Sequence, residues 1–229
     1  AADDRTRMIF VNSPGNPTGW MMESDQQKAI LDFCRARGIW IVADEVYGRL
    51  VYDRRVAPSF LEIAEPDDPI VVVNSFSKSW AMTGWRMGWL THPVSLTEKI
   101  GDLVEYNTSG TPEFLQEAGI VALRDGEETV AAMVERCRAG RNTASQRLSA
   151  MPRVIYSPPA AAFYAFFKVD GMENSLDFAK RLATEFKVGV APGTAFGPSG
   201  EGWLRLCFAQ SPERIDEAMS RLERALAEA

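Results

Sequence analysis

Two short apolar runs rich in β-branched residues, Ile39–Ala43 (IWIVA) and Ile70–Val73 (IVVV), constrain the fold of this chain more than any other feature. Each is too short to be a core helix and is followed at once by polar residues, as expected for strands buried on both faces. A third run, residues 7–12 (RMIFVN), reads as a strand ending in the turn-forming NSPGNPTG. Between the first and second strands, Ser24 opens a helix with Gln27 in an S-x-x-Q capping box, and Gly38 ends it. Strands joined in this way by helices predict a mostly parallel α/β sheet covered on both faces. Ligands then belong at the carboxyl ends of the strands.

After Arg124-Asp125-Gly126 the pattern changes. A long helix over 127–149 places Val130, Met133, Val134, Cys137, Ala144 and Leu148 near one face, and Met151-Pro152 stops it. A small α+β domain follows: strands 153–156 and 162–169, a helix over 175–186 capped by Ser175, and a short strand near 188–190. The loop APGTAFGPSG, strand 202–208 and a last helix capped by Ser211 with Pro212 at its first position complete it. The predicted division is therefore 1–125 for the larger domain and 126–229 for the connecting helix and small domain.

Bulk properties exclude several functions. The 229 residues carry a net charge of −6 with acids and bases interleaved, which leaves no electrostatic footprint for nucleic acid or anionic lipid. One histidine, His92, rules out a multi-histidine metal site within the chain. Cys34, Cys137 and Cys207 are scattered, without C-x-x-C spacing, and read as buried thiols of a cytoplasmic protein. No apolar run approaches membrane-spanning length.

Three polar clusters close the strands: Asn16-Pro17-Thr18-Gly19, Asp44-Glu45-Val46-Tyr47, and NSFSKSWAMTGWRMGW at 74–89 with Lys78 in its centre. Alone, each has a plain structural reading as a turn, a surface acidic pair and a solvated lysine. Together they supply an amine, an acid, hydroxyl and amide donors and a guanidinium, the set that pyridoxal 5'-phosphate (PLP) needs. Trp80, Trp85 and Trp89 are read as core packing.

NPTG, DEVY and SFSKSWAMTGWRMGW, in this order and spacing, resemble the aminotransferase class I/II family of fold-type I PLP enzymes. The resemblance implies that Lys78 carries the cofactor as a Schiff base and later moves a proton between the substrate α-carbon and cofactor C4′. It implies that Asp44 pairs with the pyridinium nitrogen and that Tyr47 and Asn16 hydrogen-bond the phenolate oxygen. Ser75 and Arg86, and more weakly Ser77, are implied as phosphate ligands, and Arg205 with Asn16 as the clamp on the substrate α-carboxylate. The Asn16–Pro17 bond is a candidate cis peptide. Ala161 stands where family members often carry glycine, so a positive φ there would reshape the entrance.

The implied activity is amino-group transfer between an α-amino acid and a 2-oxo acid, by a homodimer in which loop 106–112 reaches the neighbour's site. The same constellation also serves C–S lyases and PLP-binding sensor domains of transcriptional regulators. The chain reads as a C-terminal portion of such an enzyme, expected by itself to bind PLP weakly and turn over poorly.

Overall fold

The computed structural model describes residues 2–228, which divide into two compact units. The first comprises residues up to Pro14 together with Met21–Met133, and the second comprises Gly15–Trp20 and Val134 onward.

In the first unit, strand β1 (Met8–Asn12) is followed by helix α1 (Ser24–Arg37), β2 (Trp40–Asp44) and β3 (Ile70–Ser75). A four-residue helix α2 (Phe76–Ser79), β4 (Gly88–Thr91), α3 (Thr97–Thr108), α4 (Glu113–Asp125) and the start of α5 (Glu127–Ala150) follow. The sheet order is β1-β2-β3-β4. The first three strands run parallel, with Asn12 opposite Asp44 and Asp44 opposite Val73, and β4 is antiparallel to β3.

Leu31 and Cys34 of α1 pack with Ile41, Ala43, Ile70 and Val72 of the strands and with Phe60 from the connection between β2 and β3. Full burial of each large side chain contributes roughly 1.5–3 kcal/mol, so this cluster is the main reason β2 and β3 hold their register. The other half of the expected cover is absent among the described residues: Phe10 of β1 is 60% exposed.

The first helix begins one residue earlier than its sequence signature suggests. Glu23 is the cap, and its backbone N–H donates to Gln26 Oε1 at 3.1 Å. Gln27 is drawn into the core instead, where its amide donates to Pro58 O at 3.0 Å. Gly38, at φ 61°, ends the helix as anticipated. Helices α3 and α4 were not legible, and residues 106–108, read as loop, are the last turn of α3. Gly119 is the one buried residue in these two helices, so their apolar residues point to no core that a periodicity could reveal.

The second unit holds the rest of α5, then β5 (Val154–Tyr156), β6 (Tyr164–Val169), α6 (Ser175–Thr184), β7 (Ala191–Pro192), β8 (Trp203–Cys207) and α7 (Pro212–Ala227). The sheet order is β5-β6-β8-β7, with every neighbouring pair antiparallel. Phe167, Leu204 and Leu206 are buried on one face, together with Leu182 of α6 and Met219 and Leu222 of α7. Gly140 lets α5 run against the chain after β8: a Cβ there would stand 2.1 Å from Phe208 O.

Three local readings are corrected here. Asn174 caps α6, accepting from Asp177 N at 3.0 Å, while the Ser175 N–H is taken by Glu201 at 2.6 Å. Residues 188–190 form no strand, because Lys187 turns at φ 57° and Val188 N donates back to Leu182 O; pairing with β8 starts at Ala191. Cys34 and Cys137 are buried, but Cys207 is exposed.

Candidate active site

The first unit gathers six of the eight candidate residues. Asp44 is the last residue of β2, half-buried, and its carboxylate accepts from Val46 N at 3.2 Å and from Asn12 Nδ2 at 3.5 Å. Asn12 reaches it because the parallel register sets the two residues side by side. Sequence alone did not single out Asn12, since strand register is not visible in one chain. Glu45, one step along, is turned inward and buried, so the two acids do not form a surface pair. Ser59 Oγ donates to its carboxylate at 2.6 Å and Phe60 N at 2.9 Å, while burial pushes the carboxyl above its usual range.

Tyr47 lies buried in the turn that follows. Lys78 Nζ stands 5.9 Å from the centre of the Tyr47 ring and forms no ion pair among the described residues. The lysine is held there by its short helix. Ser75 caps α2, its Oγ accepting from Ser77 N at 3.0 Å and donating to Met87 O at 3.3 Å. The Phe76 N–H also bonds Met87 O, at 3.2 Å, which ties the lysine segment to the start of β4. Ser77 is buried, and Ser75 and Lys78 are half-buried.

Arg86 is exposed, with a left-handed backbone at φ 55°, and one of its terminal nitrogens donates to Thr83 O at 3.0 Å. No carboxylate pairs with it among the described residues. Around it, the three tryptophans separate. Trp80 and Trp89 pack on Phe76 with ring centres at 5.3 and 5.0 Å, and Trp80 Nε1 donates to Ala122 O at 2.9 Å. Trp85 remains exposed, because the 3-10 turn Thr83–Trp85 that carries it buries no residue.

The second unit holds the other two candidates and joins them directly: Arg205 Nη1 donates to Asn16 Oδ1 at 2.8 Å. The Arg205 guanidinium carbon lies 4.4 Å from the Tyr164 ring centre and 4.9 Å from that of Phe196. Such aromatic flanking fixes the plane of a guanidinium. The Nε–H of Arg205 is buried without a hydrogen-bond partner, so a donor remains for an incoming acceptor. Both Asn16–Pro17 and Ser13–Pro14 are cis. The positive φ lies at Ala162, not Ala161. On the same sheet face, a cavity of about 610 Å³ is lined by Phe166, Phe196, Trp203 and the Pro17-Thr18 turn.

The donor set of the first unit fits pyridoxal phosphate. It offers an amine beside a phenol, a carboxylate whose two oxygens are already oriented, and a guanidinium, the amine and the guanidinium both without an acidic partner among the described residues. Among the described residues no group of three or more histidines, cysteines or acids could hold a metal ion.

A sequence model described as aminotransferase class I and II matches residues 1–222. The chain is 38% identical over 224 residues to an aspartate aminotransferase of Pyrococcus horikoshii, covering 96% of this chain and 57% of that protein. It is 36% identical to the aromatic-amino-acid aminotransferase 2 of Thermococcus litoralis, over 98% of this chain and 58% of the relative. Among solved structures, an aromatic aminotransferase of Pyrococcus horikoshii superposes with a TM-score of 0.92 at 34% identity, over 99% of this chain and 61% of that one. The aspartate aminotransferase of Thermotoga maritima gives 0.88 at 36% identity, over 99% and 58%. The chain thus spans somewhat over half the length of the relatives it matches.

Proposed function

The chain belongs to the aminotransferase class I and II family, with part of the fold-type I architecture, and on that premise we propose that it serves a PLP-dependent aminotransferase. The reaction moves an amino group between an α-amino acid and a 2-oxo acid. When bound, the cofactor supplies an aldehyde to take the amino group and a ring that draws electrons from the substrate α-carbon.

Lys78 would hold that aldehyde and would act as the base that moves the proton at the substrate α-carbon. Asp44 would pair with the ring nitrogen, since a carboxylate with both oxygens oriented favours a cation beside it. The Tyr47 hydroxyl would donate to the phenolate oxygen, a role that the family resemblance gives to the Asn16 amide as well. Ser75, Ser77 and Arg86 bind the phosphate, and Arg205 with Asn16 receives the substrate α-carboxylate.

The observation that carries this reading is Lys78 over Tyr47 with no ion pair among the described residues. A lysine whose amine is not engaged in an ion pair is free to meet the cofactor aldehyde, which its nucleophilic role requires. We take the working enzyme to be a cytoplasmic homodimer. Support comes from the apolar side chains that α3 and α4 leave exposed, Tyr106 at 91% and Phe114 at 71% among them, and from cysteines too scattered for a disulfide frame. No helix among the described residues is long and apolar enough to cross a membrane.

Borohydride reduction of the PLP-loaded enzyme followed by peptide mapping tests the assignment. The label is expected on Lys78 and is lost in Lys78→Ala; a label at another lysine overturns it. A product assay then separates transfer from elimination. A new amino acid formed from the added oxo acid supports transamination, whereas release of ammonia or a thiol without one points to a lyase.

A further inference from the structure

We infer that Glu45, which the proposed chemistry does not use, is the positioning residue that aims Asp44 and Tyr47 at the cofactor. The inference rests on the reading of those two residues given above.

Successive strand residues face opposite ways, so Asp44 at the end of β2 is directed to the site while Glu45 turns into the protein. There it is 7% exposed and makes four bonds. Its N–H donates to Val73 O on β3 at 3.0 Å, and its C=O accepts from Gly48 N at 2.8 Å, closing the turn that contains Tyr47. Its carboxylate accepts from Ser59 Oγ at 2.6 Å and Phe60 N at 2.9 Å, some 14 and 15 residues along the chain.

Those two partners are themselves anchored. Phe60 is 1% exposed and belongs to the same apolar cluster as Ile41, Ala43 and Ile70, and Ser59 Oγ also caps the turn at Leu61 N, at 3.1 Å. The Glu45 side chain is therefore a strut from the core to the tip of β2. Asp44 is bonded to the same turn through Val46 N, so a rotation of the turn would carry the Asp44 carboxylate and the Tyr47 ring together.

A buried carboxylate is a costly way to fill space, and an apolar residue of similar size would be cheaper in stability. What a carboxylate adds is direction. Its two oxygens accept two bonds at fixed angles, whereas apolar packing would let the turn rock. Misplacement of catalytic groups by about 1 Å can cost about 100-fold in rate, which is a sufficient reason to hold this turn rigidly.

The test compares wild type, Glu45→Ala, Glu45→Gln and Ser59→Ala as PLP-loaded enzymes. In Glu45→Ala the PLP dissociation constant is expected to rise about tenfold or more, and kcat to fall about 10–100-fold with less change in KM. The pH midpoint of the absorbance change of the Lys78-bound cofactor is expected to shift as well. Glu45→Gln restores most of each property, because its amide oxygen can accept from Phe60 N while its NH2 donates to Ser59 Oγ. Ser59→Ala, which removes the bond to Glu45 and the cap on Leu61 N but leaves the apolar cluster and the Phe60 N–H bond in place, shifts the same quantities less far. If Glu45→Ala melts at lower temperature but keeps the PLP affinity and the midpoint, the role is merely structural and the inference is overturned. Should Glu45→Ala fail to fold, unchanged affinity and midpoint in Ser59→Ala overturn it equally. A wild-type protein that shows no Lys78-bound cofactor would instead sink the underlying site assignment.

Discussion

Arg205 Nη1 donates to Asn16 Oδ1 at 2.8 Å across 189 positions of sequence. The bond joins the strand arginine and the NPTG turn, the pair proposed above to receive the substrate carboxylate. Replacing Arg205 by lysine keeps the charge but removes the planar fork. Hydrogen bonds to charged groups are worth about 1.5–3 kcal/mol, so kcat/KM for the amino acid should fall roughly 10–100-fold in Arg205→Lys. PLP affinity should stay unchanged. Steady-state kinetics alongside a cofactor titration checks both halves.

Gly19 has φ 65°, and a Cβ there would stand 2.3 Å from Pro159 Cβ and 2.6 Å from Ala161 O. Neither neighbour is the end of a flexible side chain. Gly19→Ala is expected to destabilise the protein by at least about 2 kcal/mol through strain and overpacking. Urea unfolding measures it, and an unchanged midpoint would contradict the close approach.

Arg35 grips Asp68 with two hydrogen bonds, Nε to Oδ1 at 2.7 Å and Nη2 to Oδ2 at 2.5 Å. The guanidinium, followed by the Glu65 N–H, holds the Asp68 carboxyl below the usual carboxylate range. An acid whose pKa is lower in the folded state stabilises above its unfolded value, near 3.9, and loses that contribution as pH falls through the folded value. Asp68→Asn should therefore lower the unfolding midpoint at neutral pH. The gap from wild type should close on acidification below about pH 4, in urea titrations run at stepped pH.

The 229-residue chain produced by itself should bind an apolar dye and self-associate with rising concentration, because Phe10, Tyr106 and Phe114 are all more than half exposed. It should also hold PLP weakly. Light scattering and equilibrium dialysis read these outcomes, and a monodisperse monomer that leaves the dye dark would count against the first.

The sequence reading found the elements with a buried face. Ile41, Ala43 and Val72 are core residues of β2 and β3, and α7 buries Ile215, Met219 and Leu222 as its spacing requires. It failed where burial was lacking: α3 and α4 bury only Gly119, so their apolar residues gave no inward stripe to read. Capping was misjudged by one residue twice, at Glu23 and Asn174, because several neighbouring polar side chains compete for the same N–H groups. The candidate site was legible through the resemblance of its motifs. Asn12 is not, since it meets Asp44 only through strand register, and the plain structural reading of Asp44-Glu45 as a surface acidic pair fails because alternation along β2 turns Glu45 inward.

The chain leaves the first unit after Pro14, lends residues 15–20 to the second, and returns at Met21. That loan is bonded in place by Asn16 to Arg205 and by Ala161 N to Gly19 O. A single scission therefore liberates neither half whole: a fragment from Val134 onward would lack both attachments. At the genetic level, one crossover would transplant neither half intact.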